Sequence, residues 1–198
     1  LDSNGRAYTV EAAQLPSARG DGAPASSLVD VQEGGKIMHC LAGKAETPVV
    51  VAATSGYGFV AKLGDMLSNR KAGREFMSVR EGDTPIAPFP FEVASGNQLV
   101  AVSSGGKMLA FDLDEVGYLA RGRGVTLIGL DKGETLVAVA VTRDKAVEVT
   151  GFGRGRENTI EVAGKDFGHY VSKRALKGRV LPDKVKKPAG LRVLSSSS

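Results

Sequence analysis

Two markers recur along the 198-residue chain at one interval, so any fold it adopts must hold copies of a single unit in step. Ser3-Asn4-Gly5-Arg6-Ala7-Tyr8 returns as Thr54-Ser55-Gly56-Tyr57-Gly58-Phe59 and then as Ser104-Gly105-Gly106-Lys107-Met108-Leu109. A weaker copy is Gly153-Arg154-Gly155-Arg156-Glu157-Asn158. The lead glycines, Gly5, Gly56, Gly106 and Gly155, are 51, 50 and 49 residues apart. The second marker is Arg19-Gly20-Asp21-Gly22, Arg70-Lys71-Ala72-Gly73-Arg74 and Arg121-Gly122-Arg123-Gly124, with its last glycines 51 apart. Lys177-Gly178-Arg179 completes that set slightly late. Two markers in phase divide the chain into units near 1–50, 51–101, 102–150 and 151–194. Together, residues 1–194 form one domain, and Ser195 to Ser198 read as an unstructured tail or cloning remnant.

Each unit is written in strands. Val49–Ala53, Gln98–Val102 and Leu136–Val141 are short, Val-rich apolar runs of strand length. Pro48 suits a strand start, where no ladder N–H is needed. The first two runs lead through a Gly-bearing turn into a second strand such as Lys107–Asp112. After the Arg-Gly marker, Ser27–Val31, Glu75–Val79 and Val125–Leu130 read as further strands. Helical patterning is nearly absent, with room for one short turn at Asp65–Leu67 and another at Asp114–Val116. A repeat of this length with several strands and almost no helix predicts an all-β, propeller-like array of about four blades. Four blades lie at the low end for closure, so the predicted ring is open or incomplete. The start at Leu1, with no initiator Met, reads as that of a fragment.

Charge is unevenly spread. Residues 1–150 carry 15 Lys and Arg against 18 Asp and Glu, whereas residues 151–198 carry 11 against 4. Basic character concentrated in this way points to an anionic partner, nucleic acid first and an acidic membrane surface second. No apolar stretch approaches the roughly 20 residues of a membrane helix. Cys40 has no partner for a disulfide, which suits a reducing compartment. Alternation in Ile37–Leu41 points His39 and Cys40 to opposite faces, with Cys40 read as a buried structural thiol.

Catalytic and metal signals are missing. His39, Cys40 and His169 do not make a metal-ligand cluster, and no Gly-x-Ser-x-Gly or Gly-x-x-x-x-Gly-Lys-Ser/Thr motif occurs. Gly151–Arg156 imitates a dinucleotide fingerprint but lacks the strand–helix context, and reads as a flexible basic turn. What remains is Gly beside Arg or Lys once per unit. Glycine lets a turn bring its N–H groups close to a phosphate, and an adjacent guanidinium can donate two parallel bonds to it. Structural demand for Gly in turns explains any one such site equally well; recurrence in phase favours the binding reading.

These residues also carry a family resemblance. Ser3–Tyr8, Leu15–Gly20, Gly56–Val60 and Gly106–Phe111 resemble the C-terminal domain of the bacterial topoisomerase IV A subunit, over essentially residues 1–193. The resemblance implies a β-pinwheel, a ring of four-stranded blades that exchange a strand with their neighbours, whose basic rim binds duplex DNA and helps present or bend it. With no recognition helix in the sequence, Arg-Gly turns suit binding that is independent of DNA sequence. The resemblance implies DNA contacts from Arg6, Arg19, Arg70, Lys71, Arg74, Lys107, Arg121, Arg123, Arg154, Arg156, Lys173, Arg174, Lys177 and Arg179. It further implies a bacterial cytoplasmic, nucleoid-associated enzyme in which two A subunits join the ATPase-bearing B subunits, with no membrane insertion. ATP and Mg would act through other domains, and no cofactor is expected here. The family's catalytic tyrosine lies upstream, so Tyr8, Tyr57, Tyr118 and Tyr170 are not assigned that role. Lys71-Ala72-Gly73-Arg74 departs from the family's Lys-Ala-Gly-Lys, and the Gln-Arg-Arg-Gly-Gly-Lys-Gly box of gyrase A is not found, which disfavours gyrase-type wrapping. The alternative is a propeller-type protein-interaction module with incidental basic charge.

Overall fold

The computed structural model describes residues 1–16 and 22–195. In chain order the strands are β1 (Arg6–Ala7), β2 (Pro48–Ala52), β3 (Tyr57–Lys62), β4 (Arg74–Glu75), β5 (Phe89–Pro90), β6 (Gln98–Ser103), β7 (Lys107–Asp112) and β8 (Val125–Thr126). β9 (Leu136–Thr142), β10 (Ala146–Gly153), β11 (Arg156–Ala163), the helix α1 (Gly164–Tyr170), β12 (Arg179–Val180) and β13 (Lys187–Val193) follow. They form separate sheets ordered β1-β4, β5-β2-β3-β8, β12-β7-β6-β9 and β11-β10-β13. None is closed.

The apolar runs are continuous because the middle sheets are covered on both faces. Along β2, Val49 and Val51 enter the core shared with the first unit, while Val50 and Ala52 enter the core shared with the third. β6 repeats this: Leu99 and Ala101 face the second sheet, and Val100 and Val102 face the fourth. β10 instead alternates, burying Val147 and Val149 and leaving Glu148 and Thr150 half-covered on the other face. One side of the fourth sheet therefore faces solvent.

The marker strands cross between units. β4 adds to β1, β8 to β3 and β12 to β7, each antiparallel and each pairing with a strand of the preceding unit. The two sequence markers meet at these crossings. The carbonyls of Gly5, Gly56 and Gly106 accept from the amides of Met77 (2.8 Å), Leu127 (2.7 Å) and Leu181 (2.8 Å). A Cβ on Gly106 would sit 2.6 Å from the Lys186 carbonyl oxygen. One on Gly124 would overlap the Gly58 carbonyl. A second bond recurs alongside: the amides of Asp30, Ser78 and Gly129 donate to the carbonyls of Lys71 (3.0 Å), Gly122 (3.0 Å) and Leu176 (2.9 Å). The 50-residue period is thus the spacing of one inter-blade joint.

Among the described residues, the two middle blades have the expected four strands, whereas the sheet of the first unit has two and that of the fourth three. The expected strands at Ser27–Val31, Glu75–Val79 and Val125–Leu130 shorten to a 3-10 turn at Ala25–Ser27 and to β4 and β8, because these segments spend their bonds on joints. In the second blade Pro85, Pro88 and Pro90 cannot donate; Phe89 pairs with Val50 and the amides of Ile86 and Phe91 bond back to β2, and β5 stays two residues long. The proline-free segment at the same place in the third blade makes the seven-residue β9. Short 3-10 turns form at Leu63–Met66 and Leu113–Glu115, where the sequence allowed one each. α1, unanticipated, packs Phe167 and Tyr170 into the core of the last two blades. Cys40 is exposed, not buried: Ile37 makes only an isolated bridge to Asp2, so the alternation in Ile37–Leu41 never becomes a strand. Lys187–Val193, near the end of the fourth unit, forms β13 on the edge of β10.

Joint packing sets a stability test. Gly155 has φ 80° with open space around it, so Gly155→Ala costs the left-handed penalty of about 1–2 kcal/mol. Gly124 has φ 78° and a carbonyl in the way, so Gly124→Ala adds overpacking and costs about 3 kcal/mol or more. Urea unfolding of the two variants measures this; equal losses would mean that close approach at the joint does not enforce the period.

Candidate nucleic-acid interface

The joints bring successive basic turns side by side. Gly122 donates to the Phe76 carbonyl (2.9 Å) and accepts from Ser78, so Arg121 and Arg123 lie beside the strand that leaves Arg70, Lys71 and Arg74. In the same way Ala175 donates to Leu127 (3.1 Å) and Leu176 accepts from Gly129, which sets Lys173, Arg174 and Lys177 beside the strand that leaves Arg121 and Arg123.

Their side chains differ in what they are free to do. Arg70, Lys71, Arg121 and Lys173 are exposed and Arg74 is half-buried; none has a side-chain partner among the described residues. Arg179, also exposed, meets His169 Nδ1 through Nη1 at 3.1 Å. Arg154 and Arg156 are exposed around the β10–β11 turn, where Arg154 has φ 53°, and they belong to that hairpin, not to the marker series. The basic turn predicted at Gly151–Arg156 is in fact mostly strand, with Arg154-Gly155 alone as the turn. Arg19 lies outside the described residues, as does most of the Ser195–Ser198 tail.

Three of the residues singled out in the sequence are occupied by the fold. Arg6 donates from Nη2 to the Ala72 (2.9 Å) and Gly73 (3.1 Å) carbonyls, clamping the next marker turn onto β1. Lys107 is half-buried between Asp131 and Glu134 (2.9 Å to the latter), and Lys177 reaches Asp131 at 2.5 Å. Hydrogen bonds from Lys107 first, then Lys177, hold the Asp131 carboxyl at about 2, well below its usual 3.8. The same contacts, Asp131 first, raise Lys107.

Arg123 and Arg174 occupy an intermediate state. The Arg123 guanidinium lies 3.5 Å from the centroid of the Tyr57 ring, a cation–π geometry. Arg174 donates from Nη1 to the Thr126 carbonyl at 2.7 Å, and Thr126 is the cross-strand neighbour of Tyr57. Sequence reasoning passed over Tyr57 and the nearby Arg80. A third in-phase turn could have found Arg80: Gln32–Lys36, Arg80–Thr84 and Asp131–Thr135 each carry a positive-φ glycine (Gly34, Gly82, Gly133). Each is tied to a lead-marker residue by the amides of Ser3, Thr54 and Ser104 bonding Lys36, Thr84 and Thr135.

A propeller-like array with exchanged strands and neighbouring basic turns defines the class, and the comparisons specify it. The family described as "DNA gyrase C-terminal domain, beta-propeller" matches residues 97–143. The A subunit of DNA topoisomerase 4 from Neisseria gonorrhoeae is 35% identical over 185 residues, which is 90% of this chain and 23% of that protein. Its counterpart in Pseudomonas aeruginosa is 32% identical, over 92% of this chain and 24% of that protein. The E. coli ParC C-terminal domain superposes with a TM-score of 0.85 at 22% identity, covering 98% of this chain and 80% of that one. The chain belongs to the family of C-terminal domains found in the A subunits of topoisomerase IV and gyrase. It spans about a quarter of the length of the curated relatives it matches.

The Asp131 network gives a pH signature. A carboxyl lowered on folding stabilises above its unfolded value and loses that contribution as pH falls from 3.8 toward about 2. Asp131→Asn should therefore unfold below the unmodified chain at pH 5–7, with the gap closing as pH approaches 2. A gap that stays constant across the range would show that the ion pairs contribute nothing through titration.

Proposed function

We propose that this chain is a non-catalytic DNA-binding domain of a type II topoisomerase A subunit, which holds and bends duplex DNA along its marker turns to aid strand passage, decatenation and supercoil relaxation. The observation that carries this reading is the side-by-side placement of Arg70 and Lys71, Arg121, and Lys173, all exposed, by one repeated joint. A track of phosphates needs donors at repeated intervals along a surface, and a repeated joint supplies the interval. Guanidinium and ammonium groups on turns contact phosphates and read no bases, so binding is independent of sequence. No recognition helix is available for the major groove among the described residues: the one α-helix, α1, has seven residues and buries two of them.

In the parent enzyme the domain would serve a dimer of A subunits working with the ATPase-bearing B subunits, in the bacterial cytoplasm at the nucleoid. ATP and Mg chemistry would belong to those other parts. Among the described residues, no helix is long and apolar enough to cross a membrane.

A gel-shift titration with linear duplex at two salt concentrations tests the reading. Binding should weaken steeply with salt, on the order of 0.9 log units per log unit of salt for each phosphate contacted. Replacing Arg70, Lys71 and Arg121 with Ala should flatten that slope by about two to three. Replacing Lys184, Lys186 and Lys187, which are exposed but outside the marker turns, should cost less. Equal losses would mean that net charge alone governs binding. Salt-insensitive capture of a protein partner would favour the interaction-module alternative.

A further inference from the structure

Three equivalent joints carry three different charge patterns. The residue after a lead glycine, the residue before a marker glycine and the first residue of the third in-phase turn hold equivalent places in all three. In the joint between the first and second blades these positions hold Arg6 and Gln32, and Arg6 is consumed by the Ala72 and Gly73 carbonyls. In the joint between the third and fourth blades they hold Lys107, Lys177 and Asp131. There Asp131, with Glu134 beside it, neutralises both lysines.

The middle joint inverts the sign. Tyr57 stands where Lys107 does, Arg123 where Lys177 does and Arg80 where Asp131 does. Three in-phase turn bonds fix this equivalence: the amides of Gly35, Asp83 and Glu134 donate to the carbonyls of Gln32, Arg80 and Asp131 at 2.9, 3.0 and 3.0 Å. Arg174 enters from the fourth blade through Thr126. Arg80, Arg123 and Arg174 form no ion pair with a carboxylate among the described residues. Nearby carboxylates are turned to other donors: Asp83 accepts from the Thr54 hydroxyl, and Glu115 from the Arg174 amide. Arg123 Nη2 and Arg174 Nε are buried without a hydrogen-bond partner. Guanidinium nitrogens so placed ask for an acceptor, and three cations sharing a joint ask for an anion.

From this we infer that the joint between the second and third blades is the principal seat for a DNA backbone phosphate, with Arg80, Arg123 and Arg174 as its donors and Tyr57 as the residue that positions Arg123. The inference rests on the DNA-binding reading above and locates it. Stacking on Tyr57 restrains a long, flexible side chain, so less freedom is lost when its planar fork meets a phosphate. The Tyr57 phenol is held below its ordinary range by its hydrogen bond at Thr126, then by Arg123, with Arg80 adding to the effect. Arg6 at the first joint and Lys107 and Lys177 at the third already have partners and are left to contribute weakly.

Charge reversal within the third in-phase turns of the middle and third joints provides the test, read by gel shift of a linear duplex at about 100 mM salt, within the range where phosphate contacts dominate affinity. Arg80→Asp should weaken binding at least tenfold. Lys132→Asp, the same change of charge on the exposed residue beside Asp131 in the third joint's turn, should weaken it less than threefold. Tyr57→Leu should lose affinity and Tyr57→Phe, which keeps the aromatic face, should retain it. Arg80→Asp places at the middle joint the acid that the third joint already tolerates, and thermal unfolding confirms that it folds. Equal loss from Arg80→Asp and Lys132→Asp overturns the seat, as does equal binding by the Leu and Phe variants. If the unmodified chain fails to shift duplex even at low salt, the DNA-binding reading itself falls.

Discussion

One backbone hydrogen bond, made three times, organises this molecule. The carbonyl of a lead glycine accepts the amide of a strand from the next unit, about 70 residues on, as with Gly5 and Met77 or Gly56 and Leu127. Each such bond holds two blades at a distance that leaves no room for a Cβ, as Gly106 shows against the Lys186 carbonyl. The apolar cores then form between blades, not within them. Val49 and Val50 are neighbours in sequence yet belong to different cores. A blade of this kind has no stable face of its own. Its valines are buried only once both neighbours are in place, which ties the stability of each unit to the joints on either side.

How much of this could be read beforehand depends on the range of each interaction. The period, the apolar runs and the brief turns at Leu63–Met66 and Leu113–Glu115 are local or periodic, and they were legible. The strand count was not, because whether Phe89–Pro90 or Leu136–Thr142 completes a blade turns on which amides can donate across to another strand. Cys40 was misplaced for a related reason: alternation implies a buried face only where a ladder forms, and none forms there. The exchanged strands were reachable only through the resemblance, since no local signal tells Val125 that its partner is Gly58.

The recurring glycines had two competing explanations, and the structural one is met at the joints, where their carbonyls and close approach hold the blades together. Glycine is required in phase by the joint itself, whatever the domain binds. Arginine and lysine are not required by it. The clearest case is the position after the lead glycine, occupied in turn by Arg6, Tyr57 and Lys107. Arg6 serves as a clamp on backbone carbonyls, and Lys107 as the centre of an acidic pair. A basic residue in the motif is therefore no guide to which cation meets a ligand; the partner it already has decides.

That distinction separates folding from binding within one small region. Where a joint contains an internal carboxylate, as at Asp131, its cations are satisfied before any ligand arrives, and they stabilise the chain at the cost of attraction for anions. Where an arginine replaces that carboxylate, as at Arg80, the joint depends more heavily on carbonyl bonds and aromatic contact, and its charge stays available. A repeat array can vary this one position from joint to joint without altering the backbone bonds that hold the blades. On the DNA-binding reading proposed above, that one position sets where an anionic polymer is held most tightly.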